Sequence, residues 1–330
     1  MAESLINSIA RLRVNEKNLL TNETVSRLAA APSFEESVRI LRESGWGQSA
    51  APSDEKDEID ALIRARLGSA YALVSELTPE RLSPVTEVFR MRHDLTNIKL
   101  LYKLRLMGQE LADARLDFGG VFPESELKAG MQRGDYSMLP KKLSEALEEL
   151  DVSTYRGADP QKVSLRLDRA FIEYAESVRN PFVKEYFGAL ADFTNALAVI
   201  RNVDEEELLP GGEIKKAELV SAKEALRESG EKALSMIKGG ISPSPLRESV
   251  YRGFSEYLRS GSTAALERER DGFLIALASE GRSDIDTVRP IVGFLLANER
   301  EAEVVRLILT AKRSGIPMSA IEERSLKLYG

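Results

Sequence analysis

The feature that most limits how this chain can fold is a helix signature that it carries three times. Asp94–Gly108 reads DLTNIKLLYKLRLMG and Asp192–Asn202 reads DFTNALAVIRN, so Asp94, Thr96 and Asn97 are matched by Asp192, Thr194 and Asn195. A fainter copy, VVRLILTAKRSG at Val304–Gly315, sets Arg306, Leu307, Ile308 and Gly315 on Lys99, Leu100, Leu101 and Gly108. Each copy follows a proline that suits a first helical turn, in Ser83-Pro84, Asn180-Pro181 and Arg289-Pro290. From those prolines to Asn97, Asn195 and Val304 is 13, 14 and 14 positions. The phasing implies three copies of one long helix, roughly a hundred residues apart. Units of that size far exceed the roughly 34-residue period of a tetratricopeptide solenoid, so bundles joined in series are expected.

The intervening sequence reads as helix almost throughout. Leu5, Ile9 and Leu12 share one face of an opening helix, and Asn22 begins a shorter one. Ser33-Phe34-Glu35-Glu36 spells a capping box in which Glu36 reaches back to the first amide, and Gly45 stops that helix. Asp54–Leu77 reads as a charged-to-apolar helix. Leu95–Met107 is apolar around most of its circumference, as a helix contacted from several sides would be; around Phe193, Ala196, Leu197 and Ile200 the stripe is narrower. VFPESEL at 121–127 and LLPGGEI at 208–214 look like echoes of one loop, marked by Pro123 and Pro210. Asp159-Pro160 and Ser244-Pro245 are read as opening the first helices of the second and third units. No sustained alternation calls for a β-sheet. The expectation is an all-α chain of three similar helical bundles, divided near 1–118, 119–207 and 208–330.

At 330 residues the chain exceeds one ordinary domain. Lys and Arg number 46 against 53 Asp and Glu, a net charge of -7 that lacks the positive field of a general nucleic-acid binder. Cysteine is absent, which removes disulfides and thiolate metal sites and fits a reducing cytosol. A single histidine, His93, leaves His-based zinc sites and Ser-His-Asp triads almost nothing to draw on. No glycine precedes a lysine, so there is no phosphate-cradling P-loop, and neither G-x-G-x-x-G nor G-x-S-x-G occurs. The aspartate-rich magnesium box of a helical isoprenoid-type synthase is missing too, because no two aspartates adjoin. No catalytic residue, cofactor or metal is therefore expected. The opening MAESLINSIARLRV lacks the charged leader and apolar run of a signal peptide. The most apolar runs, 273–278 and 291–297, fall far short of the ~20 residues of a spanning helix. A soluble chain is expected, with any membrane association borrowed from a partner.

Three features invite a chemical reading. His93 adjoins Asp94, which could tune a general base, but helix neighbours point about 100° apart and do not pair, so an ordinary packed or surface histidine is expected. Asp204–Glu207 (DEEE) could hold a hard cation, yet successive carboxylates spread their directions and a solvated linker is the plainer reading. Arg90, Arg92, Lys99, Lys103 and Arg105 make the first repeat helix locally basic, as a solvated flank or as a dock for an acidic partner.

Taken in order, these segments resemble a known family. Ala10, Arg11, Arg13, Leu19 and Leu20 fill the Ala-Arg-x-Arg and Leu-Leu places that open the C subunit of the A-type/V-type rotary ATPases, known in the eukaryotic vacuolar enzyme as the d subunit. Asp94, Asn97, Ile98 and Lys99 match that family's D-x-x-N-[IL]-K core, and Pro210–Gly212 its Pro-Gly-Gly turn. The likeness runs essentially end to end. The early aromatic gives way to Ile6 or Ile9, and VFPESEL carries Glu124-Ser125 where glycines would stand.

The resemblance implies three bundles around a pseudo-threefold axis, forming a funnel. It also implies a non-catalytic role, that of an adaptor turning with the central shaft and the membrane proteolipid ring. Such an adaptor sits at the cytoplasmic face of the membrane without inserting into it. On charge alone, shaft contacts are expected among Arg90, Arg92, Arg201 and Arg306. The alternatives are a helical scaffold or regulator for some other partner, and an all-α enzyme, which would show a deep pocket of convergent polar groups.

Overall fold

Helices need their end amides and carbonyls satisfied, and Thr21, Ser33, Asn180 and Ser244 each accept from an amide in the first turn of the helix that follows. In the computed structural model, which describes residues 2–47, 58–154, 160–321 and 328, the described residues form α-helices and short 3-10 turns with no strand. The first five helices are α1 (Ala2–Glu16), α2 (Asn22–Ala30), α3 (Phe34–Glu43), α4 (Glu58–Leu77) and α5 (Ser83–Leu106). Next come α6 (Glu124–Arg133), α7 (Lys141–Thr154), α8 (Pro160–Ser177) and α9 (Pro181–Ile200). The last five are α10 (Lys216–Leu226), α11 (Gly230–Lys238), α12 (Pro245–Ser260), α13 (Ala264–Glu280) and α14 (Arg289–Arg313).

The repeated prolines lie in the first turns of α5, α9 and α14, where a missing N–H costs nothing. At α9, Asn180 Oδ1 caps the helix by accepting from the Phe182 and Val183 amides at 3.0 and 3.3 Å. All three long helices end in the same way. Gln109 N donates to Leu104 O, Val203 N to Ala198 O and Ile316 N to Ala311 O, at 2.9, 3.0 and 2.8 Å. The turn residues Gly108, Asn202 and Gly315 have φ of 65°, 55° and 65°. Asparagine is the side chain that best tolerates this left-handed conformation after glycine.

Two units are distinguished by packing. Met1–Thr86 with Asp271–Gly330 is one, and Glu87–Arg270 is the other. In the first, α14 lies chiefly along α4 and also meets α1, α2 and α3. In the second, α9 touches α8, α10 and α12, while α7 packs on α8 and α11 on α10 and α12. Phe89, fully buried, meets Phe182, Tyr186 and Phe187 at ring distances of 5.6, 4.9 and 5.1 Å.

Some sequence expectations need correction. The α9 helix is enclosed on nearly every side, not along a narrow stripe. Its small residues Gly188, Ala189, Ala191, Ala196 and Ala198 carry little hydrophobic signal but admit neighbours closely. A Cβ on Gly188 would stand 2.8 Å from the Gly211 carbonyl oxygen. Pro160 and Pro245 do open helices, but α6–α7 and α10–α11 precede them within the stretches 119–207 and 208–330. Ser33 Oγ does accept from Glu36 N at 3.3 Å, whereas the Glu36 carboxylate turns to Arg39 instead of reaching back. The helix read from Asp54 begins at Glu58 among the described residues, and 54–57 lie outside them.

Candidate functional site

Asp94 and Asp192 head the repeated signature, and both are fully buried. A buried carboxylate must find donors, and here they are main-chain amides. Asp94 accepts from Val121 N and Phe122 N at 2.6 and 3.4 Å; Asp192 accepts from Glu213 N and Ile214 N at 2.7 and 3.1 Å. Three residues on, Asn97 and Asn195 each make a reciprocal pair with the same loops. Asn97 Nδ2 donates to Asp117 O at 3.0 Å while its Oδ1 accepts from Asp117 N at 2.7 Å. Asn195 does the same with Leu209 at 2.9 and 2.7 Å. Phe122 and Ile214 each stand one residue before the N-cap of the next helix, Pro123 before α6 and Lys215 before α10. The acid therefore fixes where the following helix starts.

The third joint is made by Glu301, which the phasing from Pro290 sets in register with Asp94 and Asp192. Glu301 is buried and accepts from Leu20 N at 2.6 Å. Leu20 again stands one residue before an N-cap, Thr21 of α2. The match is hidden in the sequence because glutamate replaces aspartate and Val304 replaces the asparagine. The longer side chain of Glu301 also takes an ion pair from Arg66 at 3.3 Å.

The loop correspondence differs from the one read in the sequence. A Cβ on Gly120 would lie 2.1 Å from Asp94 Oδ1, and one on Gly212 2.1 Å from Asp192 Oδ1. Gly119-Gly120 therefore matches Gly211-Gly212, and the glycines sought at Glu124-Ser125 are present five residues earlier. Matching on proline hides this.

Burial pushes the Asp94 carboxyl up to about 6 against its amide bonds and the nearby His93 and Arg90. Burial likewise pushes Asp192 and Glu301 up to about 7, opposed by amides, and by Arg66 at Glu301. Unfolded carboxyls release their protons near pH ~4, so between there and pH 7 the native state binds more protons. This contribution to stability is full below about pH 4 and is lost as pH rises through 6 to 7. The stability gap between the wild type and Asp192→Asn is accordingly expected to narrow from pH 5 to pH 8, read from urea midpoints. A gap that widens would refute the shift.

Of the arginines singled out by charge, Arg90 is spent on the first loop, donating to Gly119 O and Gly120 O at 3.0 and 2.5 Å. Arg92 is half-buried over the faces of Phe89 and Tyr186. Arg201 is exposed at the end of α9. Arg306 is exposed on α14 and pairs with Asp60 at 2.5 Å. Arg90, Arg92 and Arg201 fall in one unit and Arg306 in the other. Lys99 and Arg105 are no solvated flank: they pair with Asp168 and Asp151, and Tyr102 and Tyr136 also bond Asp151 at 3.0 and 2.7 Å.

His93 Nδ1 lies 2.6 Å from Asp117 Oδ2, not against Asp94. No cluster of three or more metal-ligating side chains occurs among the described residues. Two cavities stand out, about 680 Å³ beside Phe34, Arg39, Arg42 and Lys312, and about 430 Å³ beside Asp204, Glu205, Lys223 and Arg227. Neither is lined by the three buried acids. No helix among the described residues is long and apolar enough to cross a membrane.

Comparison with known proteins places these features in context. The profile of the ATP synthase (C/AC39) subunit family matches residues 8–324. The A-type ATP synthase C subunit of Methanocaldococcus jannaschii is 22% identical, covering 97% of this chain and 85% of that protein. The V-type sodium ATPase C subunit of Enterococcus hirae is 21% identical over 96% of this chain and 97% of that protein. The V-type ATP synthase C subunit of Deinococcus radiodurans is 24% identical over 94% and 88%.

Proposed function

The chain belongs to the ATP synthase (C/AC39) subunit family, and on that premise we propose that it is a non-catalytic central-stalk adaptor of a V/A-type rotary ATPase. In this role it couples the rotating shaft to the membrane proteolipid ring at the cytoplasmic face, during ATP-driven ion transport or ATP synthesis. The three repeats, 1–118, 119–207 and 208–330, form bundles around a pseudo-threefold axis as a funnel.

The observation that carries the reading is the joint built by Asp94, Asp192 and Glu301. A rotor coupling must transmit torque, which favours a body whose segments are pinned to one another by main-chain bonds in a dry interior. Close-packed interiors pass strain on instead of absorbing it. The three buried acids with raised pKa act as pins inside the fold and line neither cavity, which fits a mechanical part better than an enzyme.

The test is to tag the protein in its native host, solubilise membranes gently and identify what co-purifies. A nucleotide-hydrolysing head, shaft subunits and a small proteolipid are expected. Recovery of none of them, with the protein free in the cytosol, would overturn the adaptor in favour of a scaffold for another partner. Shaft contacts remain expected among Arg90, Arg92, Arg201 and Arg306, of which Arg201 and Arg306 are the exposed pair. Arg201→Glu with Arg306→Glu is expected to weaken shaft binding about tenfold or more in a pull-down titration. Unchanged binding would remove these two residues from the interface.

A further inference from the structure

The three acid joints are alike in design but not in completeness. Those of Asp94 and Asp192 each hold two amides and are backed by an asparagine pair. Their loops follow directly from the helix that carries the acid. Glu301 holds one amide, Val304 gives no second clamp, and the loop it grips is 281 residues away in sequence.

The surroundings differ as well. Arg66, the partner of Glu301, stacks 5.6 Å over the Trp46 ring and also donates to Asn18 O at 3.0 Å. Yet Arg66 Nε and Trp46 Nε1 are buried without a hydrogen-bond partner, and so is Asn298 Oδ1 three residues before Glu301. Buried groups left unsatisfied offset part of what burial gains. No such group occurs in the unit holding the other two joints, among the described residues. Lys312 Nζ also ties α14 to the end of α2, reaching Ala29 O at 2.9 Å and Ala31 O.

We propose that the Glu301–Leu20 joint is a separable latch: the segment through α2 releases from α14 as a unit while the Asp94 and Asp192 joints stay closed. Local opening draws on the least stable parts of a fold, and two such unsatisfied groups, on Arg66 and Trp46, meet at this joint. The inference does not rest on the adaptor reading; it concerns how this chain opens, whatever it binds.

Hydrogen exchange of the whole chain at pH 7 tests it, read by mass spectrometry on peptides covering 17–22, 117–122 and 209–214 and corrected for intrinsic rates. The 17–22 segment is expected to exchange about tenfold or more faster than the other two. Glu301→Gln should speed it by about another tenfold while leaving 117–122 and 209–214 unchanged. Equal protection of all three segments in the wild type would overturn the latch. So would a variant in which all three loosen together. If the variant does not fold, the wild-type order decides alone.

Discussion

Replacing Asp192 by alanine is expected to lower the unfolding free energy by about 3–5 kcal/mol at pH 6, measured by urea denaturation. The substitution strands the Glu213 and Ile214 amides, the second of them on a buried residue. Each stranded buried donor costs about 1–3 kcal/mol, and the emptied space adds to it. Asp94→Ala follows the same logic with a smaller loss, because its second bond, to Phe122 N, is 3.4 Å long. A loss under about 1 kcal/mol for Asp192→Ala would mean that the amides find other partners, and the joint would not be the pin described here.

Gly212→Ala carries the second large effect, and its cause is steric. The added Cβ would meet Asp192 Oδ1, Cγ and Oδ2 at 2.1, 2.8 and 3.2 Å, so either the loop or the carboxylate must move. The expected cost is about 2–4 kcal/mol. Backbone strain is not involved, since Gly212 does not have a positive φ. In an Asp192→Ala background the obstructing carboxylate is gone, and the same substitution should cost under about 1 kcal/mol. A double-mutant cycle should therefore return a coupling of at least about 1 kcal/mol. Additive costs would show that the glycine is needed for something other than the close approach of the acid.

How much of this can be read in the sequence depends on where the information is stored. Asp94 and Asp192 are legible because aspartate three residues before asparagine is a local pattern and recurs 10 and 11 positions after a proline. Glu301 sits in the same phase but has changed residue type and lost its asparagine, so the third joint shows only when Leu20 N is seen against it. The glycine correspondence fails because the first loop is six residues longer, Asp94 to Gly120 being 26 positions and Asp192 to Gly212 being 20. A proline nearby gives a false anchor. Lys99 and Arg105 read as a basic flank since their partners, Asp168 and Asp151, lie 69 and 46 residues away. Charge can be counted from sequence; its pairing across a fold cannot. The enclosure of α9 is hidden by alanines and glycines, which make room without announcing burial.

That the acids grip main-chain N–H groups, and not side chains, has a consequence for how such a chain can diverge. Every residue but proline brings an amide, so the gripped positions are free to hold Val121 and Phe122, Glu213 and Ile214, or Leu20 without loss of the joint. Each joint demands one carboxylate and leaves nearly all the lettering of the loop unconstrained. The copies within this chain have accordingly drifted until little beyond a few helix positions can be aligned, while the geometry is kept. Within this chain the likeness of the copies is held in a handful of acids and in the room left for them, and identity counted over the copies understates it.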